Sequence, residues 1–187
     1  MRTKKSILLV SVLLIMFVCS STHARKAIID PQKVSTITSP EDSRDIRILL
    51  YFELPDEIFD SKAIVDFALL NCRAQIKDTI AGQINVFPVT TDWKNQSQIS
   101  WNEPWEKSGG DYSEEYMMSN YTLKSEWGNK EFSIDVTEIV QDWQTGKTDN
   151  NGVIIKLSKD DLENSQSKYA FDQGDVTLKI LYSYEYK

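Results

Sequence analysis

Val176-Thr177-Leu178-Lys179-Ile180-Leu181-Tyr182-Ser183-Tyr184-Glu185-Tyr186, at the C-terminal end of the 187-residue chain, decides the fold class. Val176, Leu178, Ile180, Tyr182, Tyr184 and Tyr186 fall at every second position. Thr177, Lys179, Ser183 and Glu185 lie between them, so one face is apolar or aromatic and the other mostly polar. A period of two is that of a β-strand with one face on a core.

Working outward, further strand-like runs follow. Ile46-Arg47-Ile48-Leu49-Leu50-Tyr51-Phe52 stops at the turn signal Pro55-Asp56. Ile64-Val65-Asp66-Phe67-Ala68-Leu69-Leu70 is nearly continuous and predicts a strand covered on both faces for part of its length. Gly82 opens a third, Asn151-Gly152 is a turn dipeptide before Val153-Ile154-Ile155-Lys156-Leu157, and Tyr169-Ala170-Phe171 makes a short strand. Residues 25–45 read as a polar lead-in with a possible edge strand around Val34–Thr38, as compatible with a frayed terminus as with order. One segment departs from the two-residue period. Val136, Ile139, Val140 and Trp143 fall at i, i+3, i+4 and i+7, which predicts a short helix over about Val136–Trp143. Asp135 and Glu138 are placed for a reciprocal cap, and Gly146 for the left-handed stop. The fold expected is all-β: a single jelly-roll-like antiparallel β-sandwich with one short helix, spanning 46–187.

The other end has a different chemistry. Arg2, Lys4 and Lys5 precede an uncharged apolar run from Ile7 to Val18, and then Ser20-Ser21-Thr22-His23-Ala24. That layout is a signal peptide over 1–24, and its apolar run is shorter than the roughly 20 residues of a membrane span. Lipid attachment at Cys19 would need a small residue before it, where Val18 stands. Cleavage removes the only His, one of the two Cys and three basic residues, leaving 18 basic against 28 acidic, a balance of −10. Without imidazole the mature chain cannot run a Ser-His-Asp or Cys-His site. One cysteine, Cys72, cannot close an intrachain disulfide and reads as buried and inert. The surplus of acid argues against nucleic acid. A secreted, extracellular or cell-surface-associated protein without cofactor follows, with no transmembrane segment in the mature chain.

Several pieces, in order, resemble one family. Arg47 to Leu54 resembles "R-x-L-L-x-F-D-L", and Ile64 to Leu70 stands where an "A-x-L-x-L" strand stands. Val86 to Trp93 resembles "V-x-x-V-T-x-x-W", and Ile99 to Pro104 resembles "V-T-W-N-x-x-P". Asp135-Val136-Thr137 to Trp143 resembles "D-V-T-x-x-V-x-x-W". Asn150 to Lys156 resembles an "N-x-G" turn and its strand, and Thr177 to Tyr182 resembles "P-x-L-x-V-x-Y". Together they resemble the DNRLRE-domain family, extracellular β-sandwich modules that include disaggregatase-related repeats and carbohydrate-binding modules. The resemblance covers about 46–184. It implies a non-catalytic protein whose partner is a polysaccharide or an extracellular or cell-surface protein.

Trp93, Trp101 and Trp143 sit at pattern positions and read as packing residues with satisfied indole N–H groups. Trp105, Tyr112, Tyr116, Tyr121 and Trp127 fall in a long, insert-like segment from Glu103 to Lys130 and form the candidate carbohydrate-contact set. Aromatic faces there can stack on sugar rings, or the same rings can pack the loop onto the sandwich. Asp111, Glu114 and Glu115, or Asp172 and Asp175, invite a calcium reading, but no loop of alternating acids around a Gly is present, so no metal is expected. No two carboxylates stand out as a glycosidase pair.

Overall fold

The computed structural model describes residues 24–76, 82–116, 120–123, 128–157, 169–170 and 175–184. The signal-peptide and Cys19 expectations lie outside them, as do Trp127, Phe171 and Asp172. The described strands are Arg25–Ile29 (β1), Lys33–Thr38 (β2), Ile46–Tyr51 (β3), Ala63–Ile76 (β4), Gly82–Pro88 (β5), Asn120–Leu123 (β6), Gly128–Asp135 (β7), Val153–Leu157 (β8), Tyr169–Ala170 (β9) and Val176–Tyr184 (β10). One sheet runs β1-β10-β4-β7, with β9 also on β4, and the other β2-β3-β8-β5-β6. All the pairings are antiparallel. Leaving β2 and β9 aside, the two four-stranded orders and the alternation between sheets are those of a jelly roll. The all-β sandwich is therefore the fold.

The lead-in is built into this frame. Two strands stand where at most one was expected: β1 extends the first sheet along β10, and β2 the second along β3. The stretch between Glu103 and Lys130 likewise holds β6 and part of β7, where the sequence predicts an elaborated loop. Over residues 131–135 of β7, Phe132 and Ile134 are buried between exposed Glu131, Ser133 and Asp135, and two apolar positions are too few to announce a strand.

Between the sheets, Ile48, Leu50, Val86, Val153 and Ile155 meet Val65, Ala68, Leu70, Leu178 and Ile180, all buried. A second, separate cluster lies on the outside of the second sheet. Leu49, Ile154 and Phe87 form one row across β3, β8 and β5 and are covered by Trp93 and Trp105. This is why Ile48-Leu49-Leu50 and Val153-Ile154-Ile155 are uninterrupted apolar runs: both faces of those strands are buried.

The sequence assigned that two-sided cover to Ile64–Leu70, and the structure corrects it. The register between β10 and β4 slips by one, so that Leu181 faces Phe67 and Tyr182 faces Val65. Asp66 is the extra residue of a bulge. Val65 and Ala68 consequently both turn inward, while Ile64 and Phe67 stay exposed on the outer face.

The helix Thr137–Thr145 (α1) buries Ile139, Val140 and Trp143 as its spacing predicts, and Gly146 closes it at φ 70°. Its start differs from the expected reciprocal cap. The N-cap is Val136, without a side-chain cap bond; Asp135 instead accepts from the Thr137 amide (2.9 Å) and hydroxyl (2.6 Å). A second stripe has its own task. β7 pairs with β4 only from Leu69 onward, which leaves 63–68 open at that edge. Thr137, Gln141 and Gln144, at i, i+4 and i+7, close it. The Ala68 amide donates to Thr137 Oγ1 (2.9 Å), and Gln141 Nε2 donates to the Val65 carbonyl (2.8 Å). Gln144 Nε2 donates to the carbonyls of Ala63 (2.9 Å) and Ile58 (2.8 Å). An exposed strand edge is thereby paired by side chains instead of a neighbouring strand.

Candidate functional site

The chain between β5 and β6 lies over the outer face of the second sheet and is pinned at many points. Trp93 Nε1 donates to the Asn151 carbonyl (2.7 Å) and Trp105 Nε1 to the Ser100 carbonyl (2.9 Å). Lys33 Nζ donates to three carbonyls in turn, those of Trp93 (3.2 Å), Lys94 (2.8 Å) and Gln96 (2.8 Å). Gly109, at φ 89°, lets the backbone settle onto Arg47, whose Nη1 donates to the Gly109 carbonyl at 2.7 Å. A Cβ at Gly109 would stand 2.5 Å from that nitrogen.

This packing sorts the five candidate aromatics. Trp105 and Tyr112 are brought together on the second cluster, Trp105 buried within it and Tyr112 half-buried against it. Tyr116 is elsewhere, buried in the main core with its hydroxyl donating to Asp142 Oδ2. Tyr121 lies on β6, 36% exposed and stacked on Phe132 at 4.6 Å between centroids. Trp127 is outside the described residues. Trp105 is packed into the second cluster, and Tyr116, though it borders a separate cleft with Pro88 and Lys147, is buried in the main core; among the described members Tyr112 borders the cleft lined by Arg47.

That cleft, about 710 Å³, has Arg47 and Tyr112 in its lining together with Thr90, Thr91, Glu106 and Ser108. Tyr112 is held on three sides. Its ring stacks on Phe87 at 5.1 Å, its hydroxyl accepts from Lys156 Nζ at 2.6 Å, and the Arg47 guanidinium lies 5.8 Å from its centroid. Arg47 also covers Trp101 at 4.4 Å and pairs with Asp45 at 3.0 Å. Arg47 and Lys156 are cross-strand partners, a repulsive pairing that Asp45 and the two ring faces offset.

Asp111, one of the residues of the calcium reading, has a structural task here. Its carboxylate accepts from Thr91 Oγ1 (2.7 Å) and from the amides of Glu106 and Lys107 (2.8 Å each). Burial pushes its pKa up, but these hydrogen bonds outweigh burial and hold it below the usual carboxylate range. Among the described residues no group of three acidic, His or Cys side chains is placed to hold a metal ion. Sequence reasoning missed Arg47, Thr90, Thr91 and Ser108 as a site, because they come from separate segments: Arg47 and Thr90 stand in patterns that read as strands, and Thr91 and Ser108 fill variable positions. The loop's only signal was its aromatic content.

Asp142 and Cys72 fill structural positions. Burial raises Asp142, but hydrogen bonds from Lys147 Nζ (2.8 Å) and the Tyr116 hydroxyl outweigh it, and its pKa lies below the usual value. Tyr116 is pushed up to about 12, by burial first and then by Asp142. Cys72 is free and buried as expected, and burial pushes its thiol up to about 12. A thiol so protonated is a poor nucleophile. Trp93 has the paired indole that its position predicts. The buried Trp143 does not, for its N–H lacks a partner.

No protein-family model matches the chain, and no curated protein matches it significantly. Among the described residues no helix is long and apolar enough to cross a membrane.

Proposed function

We propose that this is a secreted, non-catalytic, DNRLRE-like module that binds a neutral polysaccharide at the cleft beside Tyr112. The observation that carries this reading is the combination of a half-buried, rigidly held ring at the cleft wall with hydroxyl and charged groups from two segments, Thr90–Thr91 and Glu106–Ser108. Sugar recognition asks for one such apolar face ringed by fixed polar partners. Arg47 and Lys107 are set against Glu106, Asp111 and Glu114, so neither sign dominates the lining and an uncharged ligand fits better than a polyanion. One stacked ring adds about 1 kcal/mol, so a single site is weak and gains from repeated engagement along a polymer. Affinity electrophoresis against soluble neutral and acidic polysaccharides tests this. Retardation by a neutral glycan, reduced in Tyr112→Ala, is expected; no retardation by any glycan would refute it.

A structural or adhesive role through protein contacts is the second reading, and one observation favours it. The outer face of the first sheet carries Ile28 (60% exposed), Ile64 and Phe67, with Leu69 and Leu181 half-buried beside them. No segment among the described residues covers it as the Trp93–Trp105 stretch covers the other sheet, and contiguous apolar patches mark contact sites. Lys26 and Lys179 lie among these residues in the register. Pull-down of a surface protein, lost in Phe67→Glu and kept in Tyr112→Ala, would support this reading over the first.

A further inference from the structure

Among the described residues five large hydrophobic side chains are exposed, and three of them, Ile28, Ile64 and Phe67, stand on one surface, the outer face of the first sheet. The register joins them into a strip. Phe67 faces Leu181, which faces Lys26; Leu69 faces Lys179, which faces Ile28. On its other side Leu69 faces Asp135 of β7. The corresponding face of the second sheet is roofed by the Trp93–Trp105 stretch, whereas no described segment covers this one.

The charges on this face are divided by strand. Lys26 and Lys179 lie on β1 and β10, and the exposed Asp66 and Asp135 lie on β4 and β7. Among the described residues neither lysine has an ion-pair partner. Asp66 accepts from Ser183 Oγ at 3.1 Å and Asp135 from Thr137, each through Oδ1, which leaves Oδ2 of both to solvent. Farther along β4, Arg73 and Glu131 neutralise each other at 2.7 Å.

Such a face is complementary to itself. A two-fold axis parallel to the strands, between two stacked copies of the sheet, lays β1 and β10 of one copy across β4 and β7 of the other. Phe67 of each copy then meets Leu181 of the other, and the basic half of each meets the acidic half of the other. Four strands about 4.8 Å apart, over the nine residues of β10, present roughly 570 Å² in projection. The relief of the side chains brings the accessible area towards the ~800 Å² that each partner of a standard interface buries. That suits a reversible dimer.

We infer that the occupant of this sheet face is a second copy of the same chain. The inference goes beyond the glycan-binding reading and does not depend on it. The Tyr112 cleft lies over the opposite sheet, so both clefts of the pair stay open, and two weak sites can engage one polymer.

Sedimentation velocity of the purified mature chain, with reductant and without glycan, tests this over rising protein concentration. The wild type and Tyr112→Ala should pass from monomer to dimer. Phe67→Glu, and Lys26→Glu combined with Lys179→Glu, should each weaken pairing at least about 10-fold, since both set like charges against each other across the axis. Added salt should recover part of the pairing lost in the double lysine variant. Lys26 is exposed and Lys179 half-buried on the solvent face, so the Tm of that variant as a monomer should stay near the wild-type value, which separates lost pairing from lost fold. A monomer at every concentration would overturn the inference and leave the glycan reading standing, and a dimer that both variants retain would overturn it too. A wild type that stays monomeric yet captures a surface protein through Phe67 would give the face to that protein instead.

Discussion

Lys33 is the residue on which the covering stretch depends most visibly. Its ammonium meets three turn carbonyls, of Trp93, Lys94 and Gln96, and lies 5.2 Å from the centre of the Trp93 ring, so one side chain ties β2 to the segment that roofs the second cluster. Lys33→Met keeps the stem and removes the donors. It should lower stability by about 2 kcal/mol, the scale of hydrogen bonds to a charged group, read as a lower denaturation midpoint at unchanged m-value. Asp142 and Tyr116 set the pH limits. The carboxylates of Asp142 and Asp111 are held below their ordinary 3.8, so their contribution is complete above that value and is lost as pH falls through the depressed ones. Tyr116 is raised from 10.0 to about 12, so its contribution is complete below 10 and is lost as pH rises towards 12. A Tm profile should fall on both sides; Tyr116→Phe should flatten the alkaline limb and, by removing one of the hydrogen bonds that hold Asp142 down, also weaken the acid limb in part. An unchanged alkaline limb in that variant would contradict the assignment.

At the scale of elements, α1 acts as a strand substitute. Gln144→Ala leaves the carbonyls of Ala63 and Ile58 without their side-chain donor and should cost about 1–3 kcal/mol. Amide exchange should then quicken in 63–68 before it does in β3 or β8; uniform protection would contradict the edge-closing role. The β8 turn is stricter. At Gly152, φ 79°, a Cβ would stand 2.1 Å from the Leu50 carbonyl oxygen, and Gly152→Ala should prevent or severely destabilise folding. This scale also shows what was legible. Val176–Tyr184 alternates cleanly because its inner face meets a core and its outer face does not, and Val136–Trp143 shows its helical stripe for the same reason. The polar stripe Thr137, Gln141 and Gln144 was not legible, since glutamines facing a strand edge look like glutamines facing water. Nor was the Asp66 bulge, which turns an apolar run predicted as two-sided into a strand with one open face. The cleft beside Tyr112 is assembled from residues more than forty positions apart, Arg47 to Thr90, which no local spacing encodes.

Over the whole molecule, one sheet is roofed by the chain's own tryptophans, and no segment among the described residues covers the outer face of the other. The aromatic loop that suggested a ligand site spends Trp105 and Tyr116 on packing and leaves Tyr112 at the cleft. Cys72 is sealed between the sheets, so a non-reducing gel should show no reductant-sensitive dimer band. The central claim is that the protein holds a glycan and leaves it intact. It is tested most directly by incubating the purified mature chain with the neutral polysaccharide that retards it, measuring bound protein and released reducing ends in the same sample. The account predicts saturable binding, weakened by Tyr112→Ala, with no reducing ends above the protein-free control. Release of sugar that a single carboxylate substitution abolishes, or no binding at any concentration, would contradict it.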